Sequence, residues 1–114
     1  MVCSTYLYVR EEDNKIVGMA QLRHYLNDYT EKYAGHVGYS IRPSERGKHY
    51  AMRLLHDMLP RLKSLGHNRI LVTCEPQNVA SRKVILSNGG VYESTVHDPL
   101  RQADLERYWI DLEA

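Results

Sequence analysis

One stretch constrains the fold of this chain more than any other: RPSERGKHYAMRLL, residues 42–55. The segment before it, GHVGYSI, is rich in β-forming residues, and the segment after it carries apolar residues at helical spacing. The predicted order is therefore a strand, a Gly-containing turn and a helix. Such a turn brings free backbone N–H groups together with the positive end of a helix dipole. That arrangement suits an anion, above all a phosphate group.

The helix after the turn is predicted from apolar residues at three- and four-residue steps, with Gly66 as its stop. Pro60 lies within this pattern, and because proline has no amide hydrogen it removes one bond of the helix. We therefore expect the helix to kink or break between His56 and Pro60. The apolar residues of the pattern are Ala51, Leu54, Leu55, Met58, Leu59, Leu62 and Leu65.

The rest of the chain reads as strands, a second helix and polar loops. STYLYVRE and KIVGMAQLRHYL flank a polar turn and predict a hairpin, whereas NDYTEKYAG reads as a loop. RILVTCE is short and apolar, as expected of a strand that is covered on both faces. NVASRKVILSNGG predicts a short helix capped by Asn78 and stopped by Asn88, Gly89 and Gly90. Two strands follow, and Trp109 on the last of them is expected in the core.

These elements follow the order β-β-β-α-β-α-β-β, which predicts an α/β (α+β) fold with a mixed, mostly antiparallel sheet and helices packed on it. The length predicts a single domain over residues 1–114. The 15 Lys and Arg residues nearly balance the 14 Asp and Glu residues, so no overall basic field indicates a nucleic-acid partner. The two distant cysteines lack metal-ligand spacing, and no apolar run approaches the roughly 20 residues that span a bilayer. We expect a cytoplasmic protein with no metal and no membrane partner.

Two segments together resemble the Gcn5-related N-acetyltransferase (GNAT) superfamily, and within it a group of small bacterial predicted acetyltransferases. They are GYSIRPSERGKHYAMRLL and LVTCEPQNVASRKVILSNGG. The family's acetyl-CoA signature, Arg/Gln-x-x-Gly-x-Gly/Ala, corresponds to residues 46–51, and its Asn-led helix followed by NGG corresponds to residues 78–90. The resemblance covers essentially the whole chain. It implies the acetyltransferase fold, acetyl-CoA as the donor and a primary amine as the acceptor.

The resemblance also implies which residues form the site. Three elements would hold the cofactor. They are a strand that diverges from its neighbouring strand, the turn that follows this strand, and the second helix. Glu75, as a base acting directly or through water, and Asn78 would contribute to catalysis. A solvated carboxylate and a simple N-cap are the structural alternatives for these two residues. The implied cofactor-binding residues are Ile41, Arg42, Arg46, Gly47, Lys48, His49, Tyr50, Ala51, Asn78 and Ser81.

Three features depart from the family pattern. His49 stands where the family has its central glycine, so an imidazole replaces a position without a side chain. Ile85 stands where many relatives carry a tyrosine as general acid. The sequence also starts at the hairpin, without the strand and two helices that precede it in the family and wall the acceptor site. We expect this to leave the first strand at a sheet edge, which favours a homodimer.

Three functions follow from these observations. The first is an acetyl-CoA-dependent N-acetyltransferase in which a primary amine attacks the thioester directly. The second is a truncated or catalytically incomplete relative that binds CoA or acts as an interaction module, with slow or undetectable transfer. The third, a nucleic-acid-binding domain, is disfavoured because the sequence has no basic stripe with interleaved aromatic residues.

Overall fold

The computed structural model describes residues 3–112, so both ends of the predicted 1–114 domain lie outside the described part. The strands are β1 (Cys3–Arg10), β2 (Lys15–Arg23), β3 (Val37–Ile41), β4 (Arg69–Cys74), β5 (Val91–Asp98) and β6 (Ala103–Asp111). The helices are α1 (Tyr50–Ser64) and α2 (Val79–Ser87), and short helical turns occupy Thr30–Ala34 and Pro43–Glu45. The predicted element order is confirmed. Neither long helix within residues 3–112 has the length and hydropathy needed to cross a bilayer.

The strands form two three-stranded antiparallel sheets, in the orders β1-β2-β3 and β4-β6-β5. The predicted α/β class with mostly antiparallel pairing is confirmed, although the strands divide between two sheets. The sheets meet just before β3, where Gly35 bridges Val72 and the His36 amide donates to the Leu71 carbonyl at 2.9 Å. A Cβ on Gly35 would lie 2.3 Å from the Leu71 oxygen, so this close approach requires glycine.

Beyond this junction β3 and β4 diverge, because β3 pairs with β2 whereas β4 pairs with β6. In an antiparallel ladder the backbone hydrogen-bonding groups alternate between the two sides of a strand. The Arg42 amide donates to the Val17 carbonyl of β2 at 2.7 Å. The backbone groups of Tyr39 and Ile41 therefore point to the other side, into the gap between the sheets.

The core lies between the two helices and the sheets. Helix α1 buries Leu54, Leu55, Met58 and Leu62 on one face. Three consecutive residues of β4, Ile70–Val72, are almost fully buried, which confirms the prediction of a strand covered on both faces.

Trp109 does not lie in the core, so that prediction is wrong. It is half-buried on β6, and its ring centre lies 4.2 Å from the guanidinium carbon of Arg69. Its indole N–H donates to the carboxylate of Glu93. At the surface the indole ring makes a cation–π contact and its N–H has a hydrogen-bond acceptor. An apolar interior would offer neither interaction.

Helix α1 runs without a break through Pro60, so the predicted break is wrong. Proline removes only the bond to the His56 carbonyl, and both residues are exposed, so water can replace that bond. The buried residues Met58 and Leu62 lie on either side of Pro60 and hold the helix against the core. The Pro60 ring lines a cavity of about 350 Å³ between α1 and β1.

Candidate active site

A cavity of about 750 Å³ opens between β3, the turn that follows it and α2. The cofactor-binding residues predicted from the sequence meet in its walls, with the exception of Arg42 and Lys48. The fold thus brings together two motifs that are about thirty residues apart in the sequence. The predicted residues in the walls are Ile41, Arg46, Gly47, His49, Tyr50, Ala51, Asn78 and Ser81.

The turn between β3 and α1 forms one end of this cavity. Gly47, with φ of 82°, and His49, with φ of 64°, both adopt the left-handed conformation. Within the described residues, the amides of Gly47, Lys48 and His49 donate to no protein group, and no side chain caps α1. Neighbouring unpaired amides at a helix N-terminus make an anion site of the kind that binds phosphate.

His49 adopts a left-handed conformation, which glycine adopts more readily than other residues. The left-handed conformation costs a residue with a Cβ roughly 1–2 kcal/mol. The histidine side chain is exposed and makes no capping hydrogen bond to α1. The turn therefore carries backbone strain at His49.

Glu45 is a residue of this end of the cavity that the sequence analysis missed. Its side chain is only 5% exposed and accepts hydrogen bonds from Lys48 at 3.0 Å, from Lys15 at 3.2 Å and from Arg10. The hydrogen bond from Lys48 and those from Lys15 and Arg10 lower the pKa of Glu45 to about 2, although burial alone would raise it. No local signal could have revealed this cluster, because Arg10 and Lys15 come from the distant hairpin of β1 and β2.

Three predicted site residues lie outside the cavity walls. Arg42 donates from Nε to the Ile16 carbonyl at 2.8 Å, and Lys48 pairs with the buried carboxylate beside the turn. Glu75 follows β4, is half-buried, and accepts a hydrogen bond from Gln77 at 2.7 Å. The structure therefore does not place Glu75 in direct contact with the cavity.

The other end of the cavity lies at the start of α2. Asn78 caps this helix, because its Oδ1 accepts from the Ser81 amide at 3.1 Å, as predicted. The Ser81 hydroxyl lies 3.2 Å from the hydroxyl of Tyr39 on β3. Burial raises the pKa of Tyr39, so its phenol keeps its proton at neutral pH. Ile85 is fully buried and offers no proton-bearing group.

The family of this chain follows from its match to a family model. Residues 3–91 match the model described as the acetyltransferase (GNAT) domain. Because this range covers most of the sequence, the chain belongs to the GNAT acetyltransferase family. No curated protein sequence gives a significant match.

Solved acetyltransferase structures share the fold. The ribosomal-protein-S5-alanine acetyltransferase from Vibrio fischeri has a TM-score of 0.76 and 24% identity, with 96% of this chain and 61% of that chain covered. A GNAT-family acetyltransferase from Bacillus anthracis has a TM-score of 0.79 and 22% identity, with 96% and 67% covered. Aminoglycoside acetyltransferase AAC(6′)-Ib in complex with coenzyme A has a TM-score of 0.77 and 16% identity, with 96% and 66% covered. The chain thus spans between 61% and 67% of the length of these three proteins.

Proposed function

We propose that this chain is an acetyl-CoA-dependent N-acetyltransferase that moves the acetyl group to a primary amine. Family membership supports acetyl transfer in general. The observation that carries the proposal is the cavity of about 750 Å³, which joins the anion-binding turn to the start of α2. A cavity lined at once by a phosphate site and by the start of α2 suits the pyrophosphate and the pantetheine arm of coenzyme A.

The proposed arrangement assigns a role to each part of the cavity. The amides of residues 47–49 and the first turn of α1 bind the pyrophosphate. The backbone groups of Tyr39 and the amide of Ile41, which face the gap between the sheets, pair with the pantetheine amides. The Ile41 carbonyl accepts from Arg46 Nε at 3.2 Å. This places the thioester near Asn78 and Ser81 at the start of α2.

The proposed reaction is a direct attack. The amine nitrogen forms a bond to the thioester carbonyl carbon, and the C–S bond breaks with its electron pair going to sulfur. A base accepts the proton that the nitrogen loses. Glu75 is proposed for this role through a bridging water, because it follows β4 next to the start of α2 but lies outside the cavity walls.

An assay of thiol release tests this function. The protein is mixed with acetyl-CoA and, in turn, a polyamine, an aminoglycoside and a peptide with a free N-terminus. We expect at least one amine to accelerate thiol release and to gain an acetyl group detectable by mass spectrometry. If acetyl-CoA binds but no amine accelerates thiol release, the second candidate function, a relative that only binds CoA, is favoured. The buried Ile85, at the position where many relatives carry the acid, also favours this second candidate.

Replacing His49 by glycine should strengthen coenzyme A binding. The substitution removes the strain of a φ of 64° and the side chain beside the phosphate site. We expect the Kd for CoA, measured by calorimetry at neutral pH, to fall several-fold. Asn14→Gly, which changes another left-handed residue in the β1–β2 turn, is the control and should leave the Kd unchanged. If His49→Gly instead weakens binding, the imidazole is a phosphate ligand.

We further propose that the chain forms a homodimer through the sheet of β1. In the described residues β1 lies at a sheet edge, and Leu7 and Val9 on it are 58% and 48% exposed. Their cross-strand neighbours Met19 and Ile16 are also exposed, which makes one apolar surface. We expect light scattering to give the mass of a dimer and Leu7→Lys to give that of a monomer, with Glu12→Lys in the hairpin turn as the control. A monomer at high concentration of the unmodified chain contradicts the proposal.

The proposed compartment is the bacterial cytoplasm. Cys3 and Cys74 are both free thiols, which suits a reducing environment. The similar acetyltransferases from Vibrio fischeri and Bacillus anthracis are bacterial proteins.

A further inference from the structure

The Tyr39 hydroxyl occupies a position in the cavity to which the acetyltransfer scheme above gives no role. Tyr39 lies in the middle of β3, opposite Ala20 of β2, and its side chain is half-buried in the cavity wall. Its hydroxyl lies 3.2 Å from Ser81 Oγ, and either oxygen can be the donor. The two hydroxyls therefore form a pair that joins β3 to the first turn of α2.

This pair lies at the end of the cavity that is distant from the phosphate turn. Helix α2 spans the two ends, and its nine residues extend over roughly 13 Å. At its C-terminal end, Asn88 Nδ2 donates to the Met52 carbonyl in the first turn of α1, beside the phosphate site. At its N-terminal end, Ser81 contacts Tyr39. An extended cofactor that starts at the turn and follows α2 therefore brings its sulfur towards these hydroxyls.

The two ends of the cavity are lined by different kinds of polar side chain. Arg46, His49 and Tyr50 belong to the turn and to the start of α1. Ile85, at the position where many relatives carry the acid, is fully buried and has no hydrogen to donate. At the sulfur end, the Tyr39 and Ser81 hydroxyls are donors in the wall.

We propose that the Tyr39 hydroxyl donates a hydrogen bond to the departing coenzyme A sulfur and that Ser81 positions it. The inference rests on the proposed acetyl transfer. When the Ser81 hydroxyl donates to the Tyr39 oxygen, the phenolic hydrogen is directed away from Ser81 and towards the cavity. Such a chain of donors strengthens the last hydrogen bond, because each bond polarises the next.

Tyr39 acts as a donor that keeps its own proton. As the C–S bond breaks, the electron pair goes to sulfur, and the negative charge is stabilised by the phenolic O–H. A thiol has a pKa of about 8.5, below that of an ordinary phenol, and burial raises the pKa of Tyr39 further. The proton therefore stays on Tyr39, and the thiolate takes its proton from water after it leaves.

The pKa of the coenzyme A thiol when bound to the protein tests this assignment without any acceptor. The thiolate absorbs in the ultraviolet, and the difference between the CoA and desulfo-CoA complexes during a pH titration isolates it from the tyrosines. We expect Tyr39→Phe to raise the pKa of the bound thiol by about one to two pH units, since a hydrogen bond to a charged group is lost. Ser81→Ala should act in the same direction with a smaller change.

Tyr6→Phe is the matched control, because Tyr6 is a half-buried strand tyrosine outside this cavity. It should leave the pKa of the bound thiol unchanged. If Tyr39→Phe binds CoA and the pKa of the thiol also stays unchanged, the role of Tyr39 is overturned and the proposed function stands. If the unmodified protein binds no CoA, both are overturned. If Tyr39→Phe loses its structure, it will no longer bind CoA. In that case Ser81→Ala is the test: a raised pKa of the bound thiol supports the role of Tyr39, and an unchanged pKa overturns it.

Discussion

Replacing Gly47 by valine is expected to lower the affinity for acetyl-CoA by on the order of tenfold to a hundredfold. The Gly47 φ of 82° is accessible to glycine but strained for a β-branched residue. A Cβ at this position would meet no protein atom within 4 Å, so the effect does not come from a clash inside the protein. The turn would instead relax and misalign the amides that bind phosphate. Calorimetric titration of the variant measures the loss.

Gly66→Val is the matched control for this prediction. Gly66 also has a left-handed φ, of 99°, and open space around its Cβ position, but it follows the opposite end of α1. Both variants should lose similar stability, whereas Gly66→Val should keep the affinity of the unmodified chain. Equal affinities for Gly47→Val and the unmodified chain would mean that the turn does not bind the phosphates.

The stability of the fold is expected to fall by about 3 kcal/mol between pH 6.5 and pH 4 through His36 alone. Burial, and then the nearby charges of His67 and Arg23, lower the pKa of His36 to about 4. The unfolded chain therefore takes up this proton near pH 6.5, whereas the folded chain resists it until about pH 4. The unfolded state binds more protons in this window, so the free energy of unfolding decreases as the pH falls.

The loss of stability at low pH should arise at the junction of the two sheets. The His36 amide donates to Leu71, and the Leu71 amide donates to His36 Nδ1 at 2.9 Å. Only the neutral ring can accept that second hydrogen bond. Protonation therefore removes one of the hydrogen bonds that join the residue before β3 to β4.

Denaturant unfolding of His36→Asn between about pH 7 and pH 4 checks this prediction. Asparagine retains an acceptor near the position of Nδ1 but does not titrate, so its unfolding free energy should depend less steeply on pH. His56→Asn, a change at an exposed histidine on α1, should keep the slope of the unmodified chain. The same steep slope in His36→Asn would assign the pH dependence to other groups.

Local signals in the sequence predicted the elements and the two motifs. The Asn78 cap, the glycine stop after α2 and the apolar stripe of α1 each depend on residues within a few positions, and the structure confirms them. The prediction of a break at Pro60 failed because the packing of α1 against the sheets outweighs one lost hydrogen bond.

The remaining features depend on contacts between distant parts of the chain. Trp109 lies outside the core because Arg69 and Glu93 meet it from other strands. The division into two sheets depends on which strands pair. The meeting of Tyr39 with Ser81 likewise joins residues that are 42 positions apart. Spacing along the sequence carries no information on such pairs.

Calorimetric titration of the unmodified 114-residue chain with acetyl-CoA tests the central claim most directly. The anion-binding turn and the cavity along α2 predict saturable binding at one site per chain. The affinity should decrease as salt is added, because the phosphates are bound in part by charge. Absence of binding at about millimolar acetyl-CoA would contradict the claim that this cavity is a coenzyme A site.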